Sequence, residues 1–330
     1  MPGPVDRVDD FQRRHSVAGF PLAVAYKFFD DQGNYLAAVV TYYAFVAIFP
    51  LLLIASQVLG FILQGDPGLQ EQVLASALSQ FPIVGTQLGQ PEGLQGSTSA
   101  VVVGSLAALY GVIGLGQAAQ NAVNVAWAVP RNSRFNPLVS RASSLVMLVL
   151  AGLTVLAITV LTSVASHVDV FGTAVDGWLL AAASMSLNAV VLAVLLRLAT
   201  ARRQPIRASF PGAVTVAVLW QLLQLLGGAY VKRVVSRATD VDAVFAVVLG
   251  LVALIYVASV IAVLGLEINV VLSKRLFPRA LLTPFTDSVD LTEADRRAYA
   301  AYAKAQRHKG FERVRVTFRS RTEDEDVPAD

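Results

Sequence analysis

The sequence predicts an all-α polytopic membrane protein with six transmembrane helices and short amphipathic interfacial helices. Two features of composition and one of patterning carry that expectation. Hydrophobic residues make up 55% of the chain and charged residues only 15%, against about 25% charged in an average soluble domain. The mean hydropathy is +0.60. The apolar residues fall into runs long enough to cross a hydrocarbon core of about 30 Å at about 1.5 Å per helical residue. The expected organisation is a cytoplasmic N-terminal segment over 1–34, a transmembrane domain over 35–275 and a cytoplasmic, partly disordered tail over 276–330.

Before the first span, Phe20, Val24 and Phe28 recur every four residues within 17–31, with Lys27 and Asp31 beside them. This spacing suits an amphipathic helix lying at the interface, or equally an N-terminal extension of the first span. Span one covers 35–63 and holds Pro50, which removes a backbone hydrogen bond and predicts a kink. Residues 64–98 are polar, and Leu69, Val73, Leu74, Ala77, Leu78 and Phe81 form a stripe for an interfacial helix too short to cross. Spans two to six are expected at 99–126, 142–166, 177–200, 209–231 and 243–272. In the tail, Thr292 and Asp295 fit a capping box opening an Ala-rich helix to about Lys309. Beyond it Val314, Val316 and Phe318 alternate with Arg313, Arg315 and Arg319, ahead of an acidic end at Glu323–Asp326. That pattern suits docking on anionic headgroups, or a solvated tail.

Positive charge orients the bundle. Arg131, Arg134 and Arg141, then Arg197, Arg202, Arg203 and Arg207, then Lys274, Arg275 and Arg279 follow alternate spans. The loops 64–98 and 167–176 hold no Lys or Arg. Both termini are therefore expected in the cytoplasm. One loop dissents, with Lys232, Arg233 and Arg237 offset by Asp240 and Asp242. No cleaved secretory signal is expected.

Composition also excludes chemistry. The chain has no cysteine and three histidines in separate regions, His15, His167 and His308. No thiolate, cysteine-bound metal, paired metal ligands or Ser-His-Asp set can be assembled. A formal charge of +3 gives no strong field for nucleic acid. Gly114, Gly116 and Ala119 match a dinucleotide fingerprint, but inside an apolar span, where close helix packing is the better account. No phosphate-binding lysine motif occurs. We expect no cofactor, no metal and no enzymatic activity.

The polar residues left within the spans are the candidates, because each needs a reason to be there. Gln117, Gln120, Asn121 and Asn124 fall on one face of span two, continued by Gly114 and Tyr110. They could line a path, and hydrogen bonding between helices accounts for them equally. Glu267 is the carboxylate within span six, with Ser259, Val263 and Asn269 nearby. It could relay a proton or cation, or pair with an arginine or cap a helix at the interface. Tyr43, Pro50 and Gln57 share a face of span one, and Ser184, Asn188, Gln221 and Gln224 could meet the amide face.

These residues resemble a known family. Asn34 to Ala38, Tyr42, Tyr43, Phe49 and Pro50, then Gly104 to Tyr110 and Asn124 to Trp127, are similar to the YihY/BrkB membrane proteins of bacteria. Pro205 to Gly212 and Gly265 to Glu267 extend the resemblance, which covers roughly 17–275. Ala47 and Leu266 depart from the common Ser and Ala. The resemblance implies six spans with cytoplasmic ends in the cytoplasmic membrane. It also carries an old ribonuclease label that this sequence, lacking convergent acid, base or metal ligands, does not support. The expected function is secondary transport or lipid movement without ATPase activity, with membrane lipids as partners and a lipid-like or small polar cargo. The rival expectation is a non-transporting scaffold that recruits envelope partners. The sequence says nothing about oligomeric state.

Overall fold

A computed structural model describes residues 4–62, 98–165, 173–201, 205–233, 240–281 and 289–318. The interfacial helix expected within 64–98 lies outside the described residues. All regular secondary structure among the described residues is helical. Two short helices, α1 (Pro4–Arg14) and α2 (Ser16–Asp30), precede six long ones. These are α3 (Gly33–Ile62), α4 (Thr98–Ala126), α5 (Pro137–Ala165), α6 (Thr173–Ala199), α7 (Ile206–Arg233) and α8 (Asp240–Lys274). A last short helix, α9 (Glu293–Ala305), closes the described chain. Sequence patterning placed five of the six long helices within four residues at each end, and α5 starts five residues early. There Asn136 caps the helix by accepting the Val139 amide at 2.8 Å, and Pro137 takes the first helical position. Capping chemistry, not hydropathy, sets that end. Helix α3 continues through Pro50, and α1 was not foreseen.

Three segments among the described residues are long and apolar enough to cross a membrane: 137–154, 206–229 and 248–274. Shorter apolar stretches occupy 33–48 and 185–199. The six long helices form a closed ring. Each packs on its neighbour in chain order, α8 returns against α3, and α4 also touches α6 and α8. Leu109, Val149, Leu153, Leu225, Leu226 and Leu249 point outward and exposed, as a lipid-facing surface requires.

Small residues set the closest approaches. A Cβ on Gly111 would lie 2.9 Å from the Ala47 backbone, one on Gly114 2.1 Å from the Tyr43 ring, and one on Gly116 2.3 Å from Ser144. The glycines of α4 therefore admit α3 and α5, the packing role preferred above to a nucleotide fingerprint. Between α7 and α8 a Cβ on Gly212 would lie 1.9 Å from the Gly265 carbonyl oxygen. Asn269 accepts the Gly212 amide there at 2.7 Å.

Burial is concentrated at one end. Ala23 and Val24 of α2, Ala122, Val123 and Trp127 of the α4 terminus, Ala199, Val270, Val271 and Ala298 share a core cluster. Helix α9, opened by the expected cap at Thr292, packs into this end with Ala294, Asp295, Ala298 and Ala305 buried. It ends at Ala305 and not near Lys309, since Arg307 leaves the helix to accept the Asn132 amide at 3.2 Å. Helices α1, α2 and α9 and residues 276–281 together form a packed collar at this end.

Candidate functional site

Helices α4 and α8 end alike, and their ends organise the collar. Ala128 and Arg275 adopt left-handed backbone (φ 48° and 51°). Val129 N then donates to Asn124 O at 2.8 Å, and Leu276 N to Val271 O at 3.0 Å. These are Schellman-type closures. They leave late carbonyls of α4 without helical donors, and two lysines supply them. Lys27 donates to Ala126 O at 3.0 Å, and Lys274 to Trp127 O at 2.7 Å.

Lys27 is also the centre of a buried ionic node. Its ammonium pairs with Asp31 on the next turn and lies 3.4 Å from Glu267 of α8. It sits 5.1 Å from the Tyr302 ring centroid on α9. Lys27 and Asp31 are 2% exposed and Glu267 not at all. Burial works to lower the Lys27 pKa, but Glu267 and Asp31 together hold it above the ordinary lysine value. Burial raises Asp31 and Tyr302. Glu267 accepts no hydrogen bond, and the Tyr302 hydroxyl makes none, among the described residues.

A second node lies alongside. Arg279, fully buried, donates from both terminal nitrogens to Asp30 at 3.1 Å and from Nε to Asp295. Asp295 in turn accepts the Ala280 and Thr292 amides at 3.0 Å, so one carboxylate completes the capping box and holds the arginine. Tyr26 donates to Leu281 O, and Gln12 to Arg279 O. Two adjacent carboxylates at the end of α2, Asp30 and Asp31, thereby bind two different cations. Ionic pairs buried this deeply fix geometry more than they add net stability.

The second feature is a cleft. Val190 and Ala193 of α6 face Ile206, Phe210 and Pro211 of α7 around a lateral opening of about 340 Å³ with apolar walls. Arg207, exposed, also lines it. No amide occurs among the described residues that line it.

Residues 24–286, most of the chain, match the family described as virulence factor BrkB. The chain belongs to that family. Neither a curated protein nor a solved structure matches it. The family match and the apolar helices together make it a membrane protein.

In this BrkB-family chain the sequence-selected polar residues do not converge. Gln120 bonds across to α5, donating to Ser140 O at 2.9 Å and accepting from the Ser140 hydroxyl at 2.7 Å. Asn124 is buried and accepts the Ala201 amide at 3.2 Å, capping the end of α6. Asn121 is exposed and accepts from Arg134 at 3.1 Å. Gln117, half-buried, makes no hydrogen bond among the described residues. Tyr43 lies beneath Gly114, its ring 5.9 Å from that of Tyr110. Asn188 is half-buried on α6, Gln221 exposed on α7, and Gln224 half-buried with a partner of its own. Ser184 and Gln57 have no described side chain. Glu267 pairs with a lysine in place of the arginine considered above. Two turns away on α8, Thr41 of α3 donates to Ser259 at 3.2 Å.

Sequence reasoning missed Asp30 and Tyr302, used Arg279 only to orient the bundle, and treated Lys27 and Asp31 as the polar edge of an interfacial helix. Two acids in a row at the end of α2 were the available signal. The partner of Asp30 lies 249 residues away, and Lys27 beside Asp31 meets Glu267 from the other end of the chain, so no local pattern points to the nodes. Among the described residues no group of three His, Asp or Glu could hold a metal.

Proposed function

We propose that this protein is a six-span, lipid-handling protein of the bacterial cytoplasmic membrane, with both termini cytoplasmic. The reading assigns no catalytic or ATPase step to the chain. The cleft between α6 and α7 carries it, because a lateral opening with apolar walls admits an acyl chain without an aqueous pore. The exposed Arg207 in its lining suits an anionic headgroup. Arg131 and Arg134 of the α4–α5 connection and Arg207 at the start of α7 lie at the collar end, which supports that end as cytoplasmic. Gln120 and Asn124 of α4 are taken up by α5 and by the end of α6, which leaves fewer free amides for a polar solute and favours a lipid-like cargo.

The test is reconstitution in liposomes carrying fluorescent phospholipid in one leaflet. Wild-type protein should accelerate leaflet exchange over protein-free liposomes. Val190→Trp, placed on the half-exposed wall of the cleft, should slow that exchange by roughly tenfold, as expected when a bulky group fills a fitted site. Exchange no faster than in protein-free liposomes defeats the reading. A scaffold is the second reading, favoured by the packing of α9 into a fixed collar. It expects Val190→Trp to be silent in cells and loss of α9 to abolish function.

A further inference from the structure

The last turn of α9 and the turn after it carry a charged feature outside both ionic nodes and the cleft. Lys304, Arg307 and Arg313 line an opening of about 550 Å³ between this turn and Pro130 of the α4–α5 connection. One carboxylate, Glu312, shares the lining, but its Oε2 accepts the His308 amide at 2.7 Å and the Lys309 amide at 3.2 Å. Those backbone bonds hold Glu312 below the ordinary carboxylate value. Its charge is committed to closing the turn. No ion pair reaches Lys304, Arg307 or Arg313 among the described residues.

Phe311 stands beside these cations with 92% of its surface exposed. The turn is fastened to the bundle: Arg307 donates to Asn132 Oδ1 at 3.2 Å and accepts the Asn132 amide. Residues 130–132 lie in the connection between α4 and α5, so the turn is held where two long helices leave their apolar runs. An exposed aromatic among unpaired cations at that level has the makeup of an interfacial anchor. A soluble phosphate would use the cations and leave the phenylalanine unexplained.

We propose that the opening lined by Lys304, Arg307 and Arg313 binds the phosphate of an anionic phospholipid, with Phe311 entering the interface beside it. The site is separate from the α6–α7 cleft and does not depend on lipid movement.

The absence of native cysteine makes a single label clean. Gly310 has open space where a side chain would go, so Gly310→Cys carries an environment-sensitive fluorophore in protein held in nanodiscs. Replacing phosphatidylcholine progressively with phosphatidylglycerol should shift the emission to the blue. Arg313→Gln and Lys304→Gln should each raise the phosphatidylglycerol fraction needed by about fivefold, and Phe311→Ser should remove most of the shift. Equal thermal stability of the variants shows that the bundle is intact. The same emission in both lipids overturns the proposal. A shift produced in phosphatidylcholine discs by inorganic phosphate alone overturns it in favour of a soluble ligand. A shift seen only after removal of residues 319–330 overturns it in favour of the chain's own acidic end.

Discussion

Lys27 donates to the carbonyl of Ala126 at 3.0 Å, joining a helix outside the ring to the last turn of one inside it, 99 residues along the chain. The same ammonium faces Asp31 and Glu267. One cation thus fastens α2, α4 and α8 together.

Removing that cation strands two buried carboxylates. Lys27→Met is expected to destabilise the protein by about 3–5 kcal/mol, the usual result of breaking a buried pair from one side. Lys27→Met combined with Asp31→Asn and Glu267→Gln should recover a large part of the loss. Thermal unfolding in detergent reads both. A triple variant no more stable than Lys27→Met would show that packing around the lysine, and not its charge, holds the collar.

Arg279 tests the second node. Arg279→Lys retains the charge but cannot bridge Asp30 and Asp295 with a planar fork. It should behave nearly as badly as Arg279→Gln, and both should free α9 to protease cutting between 281 and 292. Wild-type resistance in Arg279→Lys would mean that the fork is dispensable.

The α7–α8 crossing depends on the absence of a side chain. Gly212→Ala forces a Cβ into the Gly265 carbonyl oxygen and should cost about 1–3 kcal/mol or more. Gly152→Ala and Gly228→Ala meet nothing within 4 Å and should be neutral or mildly stabilising. Equal effects at all three positions would remove close packing as the explanation.

The collar should fail in alkali and not in mild acid. Burial raises Tyr26, Tyr299 and Tyr302 above the ordinary tyrosine value of 10.0. Lys27 stands above 10.5, with its carboxylate partners overcoming burial. A group raised on folding contributes most below its unfolded value, and the contribution is lost as pH rises through the folded one. Asp31, also raised by burial, loses nothing on mild acidification. Of the nine tyrosines, a subset should ionise late, by absorbance at 295 nm, together with release of α9 to protease. A single ordinary transition for all of them would contradict the burial.

The long helices and the cap at Thr292 were legible in the chain, because each rests on local composition or spacing. So was the close packing of Gly114 and Gly116, since small residues in an apolar helix have few other uses. Tertiary structure decided which polar groups matter. Gln120 and Asn124 looked like one seam by helical spacing, yet they serve two different neighbours, because a shared face says nothing about what lies opposite. Lys27 and Asp31 looked like a solvated edge, yet they are buried, because Glu267, Arg279 and α9 arrive from the far end of the chain. Hydropathy reports which segments leave water. Which charge meets which is settled only when distant segments pack, and that pairing is invisible in any local window.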